Sequence, residues 1–187
     1  GARGHDGFIG RGYVLFGSPD KFPSTFELSS INGSNGFDIQ AEVAVGLLGD
    51  SVDSAGDING DGIDDLIIGA PYANVNSLTK AGRSYVVFGS SNPLGTPIDL
   101  ASLDGSNGFR MNGQGNSDES GYSVSAAGDI NGDGVDDLIV GARVANRGYV
   151  VFGGTTWRAF FSLGGLTTSP DLFPGQVPGF VIEGESA

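Results

Sequence analysis

The sequence predicts an all-β chain assembled from a repeated unit of short strands, and three observations predict it. Segments recur 72 positions apart: Asp-Ile-Asn-Gly-Asp-Gly-Ile-Asp-Asp at 57–65 returns as Asp-Ile-Asn-Gly-Asp-Gly-Val-Asp-Asp at 129–137, and Ile-Asn-Gly-Ser-Asn-Gly-Phe at 31–37 returns as Leu-Asp-Gly-Ser-Asn-Gly-Phe at 103–109. Glycine supplies 34 of 187 residues, well above the usual share of about 7%, and without a Gly-X-Y period such content fits many tight turns. Neither acidic loop is followed by a segment that reads as an amphipathic helix. Several short strands inside so long a period suggest a propeller or solenoid unit.

One period contains four strand candidates, read from β-branched and aromatic enrichment between turn signals. Tyr122–Ala127 is rich in small residues, as a strand lining a crowded centre needs. Asp137–Ala142 carries the continuous apolar run Leu138-Ile139-Val140, which fits a strand buried on both faces. Gly148–Phe152 and Phe109–Asn112 complete the set. Aromatic-apolar runs ending in Phe-Gly recur at Gly12–Gly17, Ser84–Gly89 and Gly148–Gly153, and a fainter echo of 107–111 is Pro-Gly-Phe-Val-Ile at 178–182.

Composition narrows the function classes. With 39% apolar residues the chain has material for a core, and its length suits one domain or a piece of a larger one. A net charge of −13 with nine scattered basic residues disfavours nucleic-acid partners and anionic membrane surfaces. There is no cysteine, so neither a disulfide scaffold nor a thiolate metal site is available. No apolar run reaches the roughly 18 residues of a membrane-spanning helix, and no membrane insertion is expected. The first residue is Gly rather than Met, which reads as a processed or excised start.

The acidic loops carry the chemistry. Oxygen-bearing residues fall on the odd positions, Asp57, Asn59, Asp61 and Asp65, with the Ile63 carbonyl at position seven; flexible loops wrap hard cations in this way. Position twelve is Ile68 or Val140 rather than Glu, which separates these loops from an EF-hand and leaves Asp65 or Asp137 to close the cage. Gly62 and Gly134 at position six permit the sharp turn. Magnesium would demand stricter octahedral geometry and zinc would want Cys or clustered His, so calcium is the expected ion. The plain alternative is a pair of solvated turns, because Asn-Gly and Asp-Gly are common turn formers.

Together these residues resemble the FG-GAP repeats of the integrin α-subunit N-terminal β-propeller and its bacterial, notably cyanobacterial, relatives. Phe88-Gly89 is the FG and Gly69-Ala70-Pro71 the GAP; the second unit keeps Phe152-Gly153 but has Gly141-Ala142-Arg143. The resemblance implies blades of four antiparallel strands, with calcium in the hairpin loop between the first two. It implies two Ca2+ sites: Asp57, Asn59, Asp61, the Ile63 carbonyl and Asp65, then Asp129, Asn131, Asp133, the Val135 carbonyl and Asp137. Asp64 and Asp136, at position eight, are expected to point away from the ion or reach it through water.

Repeat phase gives a partial propeller of about two and a half blades. Residues 1–46 form a partial blade holding strands three and four. Residues 47–118 form a full blade with a calcium loop, and 119–187 a second full blade with a longer insertion at 154–179. Two and a half blades do not close a ring, so the chain is expected either to be part of a longer extracellular protein or to associate through open blade edges. The resemblance further implies an extracellular or cell-surface setting, no enzymatic activity, and a role in adhesion or in binding a protein or glycan ligand. Its alternatives are the non-catalytic propeller module of an extracellular hydrolase and a self-assembling surface protein.

Several smaller features have two readings each. His5 is the single histidine, so a Ser-His-Asp triad has little support and a surface role is expected. Asn32-Gly33-Ser34 is either a glycosylation acceptor or a turn. Asp50 and Asp53 stand where the other unit has Tyr122 and Ser125, and either line a solvated channel or belong to a loosely packed strand. The insertion, with Trp157, Phe160, Phe161 and Leu163, is either a partner surface or a loop packed over blade edges.

Overall fold

The structure is a computed structural model that describes residues 2–5, 9–20, 22–40, 46–92, 95–167 and 177–185. The side chain of His5, the neighbouring Asp6 and residues 168–176 of the insertion lie outside the described set. The described residues form an all-β fold of three sheets, with short 3-10 turns and no α-helix.

The middle sheet shows the blade plan most fully. Strands β4 (Val52–Gly56), β5 (Asp65–Ala70), β6 (Arg83–Val87) and β8 (Gly108–Asn112) pair antiparallel in that spatial order. The third sheet repeats it with β9 (Ser120–Gly128), β10 (Asp137–Ala142), β11 (Arg147–Val151) and β14 (Val177–Glu183). The first sheet holds β1 (Ala2–His5), β2 (Ile9–Leu15) and β3 (Gly36–Gln40). There the repeat phase predicted two strands and the structure has three. Ala2 pairs with Arg11 as Ala70 pairs with Arg83, so β1 continues from the second-strand position.

The long connections from third to fourth strand in the middle and third sheets add short parallel strands that the sequence pattern did not reveal. β7 (Ile98–Asp99) joins β3 of the first sheet, and β12 (Phe160–Ser162) joins β8 of the middle sheet. β13 (Leu166–Thr167) pairs with β14. The first two act as clasps, because each reaches from its own blade to the outer strand of the preceding one.

The core lies between sheets. Phe37, Ile39, Leu48, Ile68, Tyr85 and Val87 fill the space between the first and middle sheets. Ile58, Ile67, Val86, Phe109 and Met111 meet Leu138, Val140, Tyr149 and Val151 between the middle and third. Adjacent residues of β5 therefore serve opposite cores, which is why its apolar run is continuous rather than alternating. In β10 only part of that expectation is met: Leu138 and Val140 are buried, whereas Ile139 is half-buried on the outer face of the third sheet.

Candidate metal centre

Both acidic loops are hairpin connections between the first and second strands of a blade, β4–β5 and β9–β10. The strands arrive with Gly56 opposite Asp65 and Gly128 opposite Asp137. Position six needs a left-handed backbone, with φ +87° at Gly62 and +90° at Gly134, a region open to Gly at little cost.

Inside each loop the side-chain oxygens organise the backbone. The Asp61 amide donates to Asp57 Oδ1 at 2.9 Å and to Asn59 Oδ1 at 2.8 Å, and the Gly62 amide donates to Asp57 Oδ2 at 2.8 Å. The Ile63 amide donates to Asp61 Oδ1, and Asn59 Nδ2 donates to Asp61 Oδ2. The second loop reproduces the frame: the Asp133 amide donates to Asp129 Oδ1 and Asn131 Oδ1, Gly134 to Asp129 Oδ2, and Val135 to Asp133 Oδ1. Such bonds curl the chain so that oxygens, rather than amides, are left to meet a cation.

Position nine does a different task. Asp65 is buried, and its carboxylate accepts from the Ile58 amide at 3.1 Å and the Gly89 amide at 2.8 Å. Asp137, fully buried, accepts likewise from Ile130 and Gly153. Each therefore ties its loop to the Phe-Gly at the end of the third strand. A Cβ on Gly89 would lie 2.4 Å from the Asp64 carbonyl oxygen, and one on Gly153 2.3 Å from that of Asp136. Burial pushes the Asp65 carboxyl up to about 6, and the nearby charges of Asp61 and Asp57 add to the rise while the bonds from Gly89 and Ile58 oppose it.

The donor set, three carboxylates, a carboxamide and a main-chain carbonyl per loop, suits a hard cation, and no nitrogen or sulfur ligand competes. Among the described residues, however, no three acidic or histidine side chains converge into a ready cluster. The carboxylates face the loop's own amides and each oxygen has a further lone pair for a ligand. A cation held there would supply the positive charge that these repelling carboxylates lack.

Four further contacts go beyond the hydrogen-bonded frame of each loop. Asp136 reaches out of its own loop: its Oδ2 accepts from the Asp57 amide, 2.9 Å away in the neighbouring blade. Asp53 accepts from Ser125 Oγ at 2.7 Å, so the acidic residue on β4 contacts the inner strand of the next blade. Arg143, which replaces proline in the second GAP, pairs with Glu119 and lies 4.1 Å over the Tyr122 ring. Asn32 Oδ1 accepts from the Ser34 amide and hydroxyl, which makes that triplet a side-chain-capped turn. A repeat alignment could have found the third, since Leu47, Asp50 and Pro71 change together to Glu119, Tyr122 and Arg143.

The insertion packs over the middle sheet through Trp157, stacked on Phe109 at 4.0 Å, and through Phe161 and Leu163, while Phe160 stays exposed. No helix among the described residues is long and apolar enough to cross a membrane.

Comparison with known proteins agrees with the motif. The FG-GAP repeat family matches residues 48–87 and 120–155. Integrin alpha pat-2 of Caenorhabditis elegans is 38% identical over 97 residues, 52% of this chain and 7% of that protein. Integrin alpha-5 of Xenopus laevis is 31% identical over 147 residues, 75% of this chain and 12% of that protein. Phosphatidylinositol-glycan-specific phospholipase D of Mus musculus is 33% identical over 123 residues, 64% of this chain and 14% of that protein. The chain thus spans a small fraction of the length of these relatives. With the loop, the Phe-Gly tie and the blade sheets in place, the chain carries FG-GAP repeats of the integrin alpha type on β-propeller blades.

Proposed function

We propose that the chain is a calcium-binding FG-GAP segment of a secreted or cell-surface protein, non-catalytic in itself, that serves adhesion or binds a protein or glycan ligand. The observation that carries the reading is the repetition of one hydrogen-bonded frame, with one set of oxygen donors, at 57–65 and 129–137. Calcium is structural in this account. It offsets the repulsion among Asp57, Asp61 and Asp65 and lets each hairpin hold its Phe-Gly. Calorimetric titration with calcium chloride is expected to give two ions per chain, and one after Asp61→Asn. A wild-type isotherm without heat of binding would sink the proposal.

A second reading, the accessory propeller of an extracellular hydrolase, draws on the similarity to phosphatidylinositol-glycan-specific phospholipase D. In that case the parent protein carries catalytic motifs outside these residues, and this chain alone turns over no substrate. Self-assembly through blade edges is the third, supported by the outward Ile130 and Ile182. Size-exclusion chromatography with and without a chelator separates it from the first.

A further inference from the structure

The two loops are chemically alike but differently held. The start of the first loop is gripped by the third sheet: the Asp57 amide donates to Asp136 Oδ2 at 2.9 Å, the Asp136 amide to the Asp57 carbonyl at 3.4 Å, and the Gly154 amide to the Ile58 carbonyl at 3.0 Å. Ile58 is fully buried beneath that sheet. The approach is close enough that a Cβ on Gly56 would fall 2.2 Å from Asp136 Oδ2. In the second loop Ile130, at the position of Ile58, is 51% exposed, and among the described residues nothing lies within 4 Å of where a Cβ on Gly128, the counterpart of Gly56, would stand.

Asp57 is the first ligand of its loop in the calcium reading, and its own side chain is committed to the amides of Asp61 and Gly62. A carboxylate that fixes the Asp57 amide therefore fixes the backbone from which this ligand projects. A charge-assisted bond from a carboxylate to an amide is among the stronger local restraints a loop can have.

We propose that Asp136 is a positioning residue for calcium in the neighbouring blade, so that affinity at 57–65 depends on the docking of the third sheet, whereas position eight has little effect on its own loop. This rests on the calcium reading. Asp64, the same position one blade earlier, is the internal control, because any effect of position eight on its own loop would appear there.

The test uses the full chain in two backgrounds. Asp133→Asn weakens the second site while keeping an acceptor for the Val135 amide, and Asp61→Asn does the same for the first. Calcium chloride titrations then read each site separately. Asp136→Ala is expected to weaken the first site about tenfold, the loss of one charge-assisted bond, and Asp136→Asn about threefold because a neutral acceptor remains. Asp64→Ala leaves the first site unchanged, and Asp136→Ala leaves the second unchanged.

The opposite pattern, Asp64→Ala weakening the first site and Asp136→Ala the second, overturns the proposal. Hydrogen exchange at the Asp57 amide in metal-free protein tests the contact apart from calcium: Asp136→Ala should speed it, and unchanged exchange contradicts the latch. A wild-type titration without heat of binding, alongside faster Asp57 exchange in Asp136→Ala, rejects the calcium reading and with it the affinity effect, while leaving the contact itself standing.

Discussion

Gly89 and Gly153 hold the acidic loops from outside them. Each gives its amide to a buried Asp, and each has a loop carbonyl where a side chain would begin. Gly89→Ala forces loop and strand apart and is expected to lower unfolding free energy by about 1–3 kcal/mol in a denaturant titration. Gly17, the corresponding residue of the first sheet, has nothing among the described residues within 4 Å of the place an added methyl group would take, so Gly17→Ala should be close to neutral. Equal losses at both would contradict the close-approach argument.

Asp65 supplies a pH test. Its carboxyl titrates near 3.8 when unfolded and at about 6 when folded. In metal-free protein the folded state therefore binds more protons between these values. Its contribution to stability is full below the lower value and is lost as pH rises through about 6. The metal-free melting temperature should gain from acidification across that window, and Asp65→Asn should flatten the gain. Calcium, which needs the ionised carboxylate, reverses the sign. Parallel wild-type and Asp65→Asn profiles would argue against this account of Asp65.

Much of this was legible at the residue scale because the oxygens of Asp57, Asn59 and Asp61 act within five residues of one another. Asp136 was not legible, because its partner Asp57 lies 79 positions away and only the docking of two sheets brings them together.

At the scale of elements, the hairpins and four-stranded pairings follow from strand propensity and turns, whereas the clasps β7 and β12 do not. Two or three residues carry no period, and Ile98–Asp99 becomes a strand only because the outer edge of β3 offers unpaired backbone. The β12 clasp is anchored by stacking of Trp157 on Phe109 and by Phe161 beside it. Trp157→Phe keeps an aromatic there, while Trp157→Ala is expected to destabilise by roughly 1–3 kcal/mol, less than a fully buried Trp because the ring is only partly covered. As Trp157 is the single tryptophan, its fluorescence reports release of the clasp directly. If that signal moves at lower denaturant than the global transition, the clasp is a separate unit.

At the scale of the molecule, the three sheets repeat one another, yet identical positions have different environments. Ile58 lies under the third sheet and Ile130 faces outward. Ile58→Ala should cost about 2–4 kcal/mol and Ile130→Ala less than about 0.5. Similar losses at both would mean that the outer face is covered in solution, and would point to association of copies. The sequence period announced that the sheets repeat but not which faces are covered, since coverage depends on a neighbour and not on the repeat itself.

The central claim is that calcium ties each loop to its blade. Thermal unfolding in millimolar calcium against the same protein with excess chelator tests it most directly. Binding of one ion at a hundred times its dissociation constant adds about 2.7 kcal/mol, so a melting temperature higher by several degrees is predicted, with a smaller rise in Asp61→Asn. Coincident curves with and without calcium would contradict it.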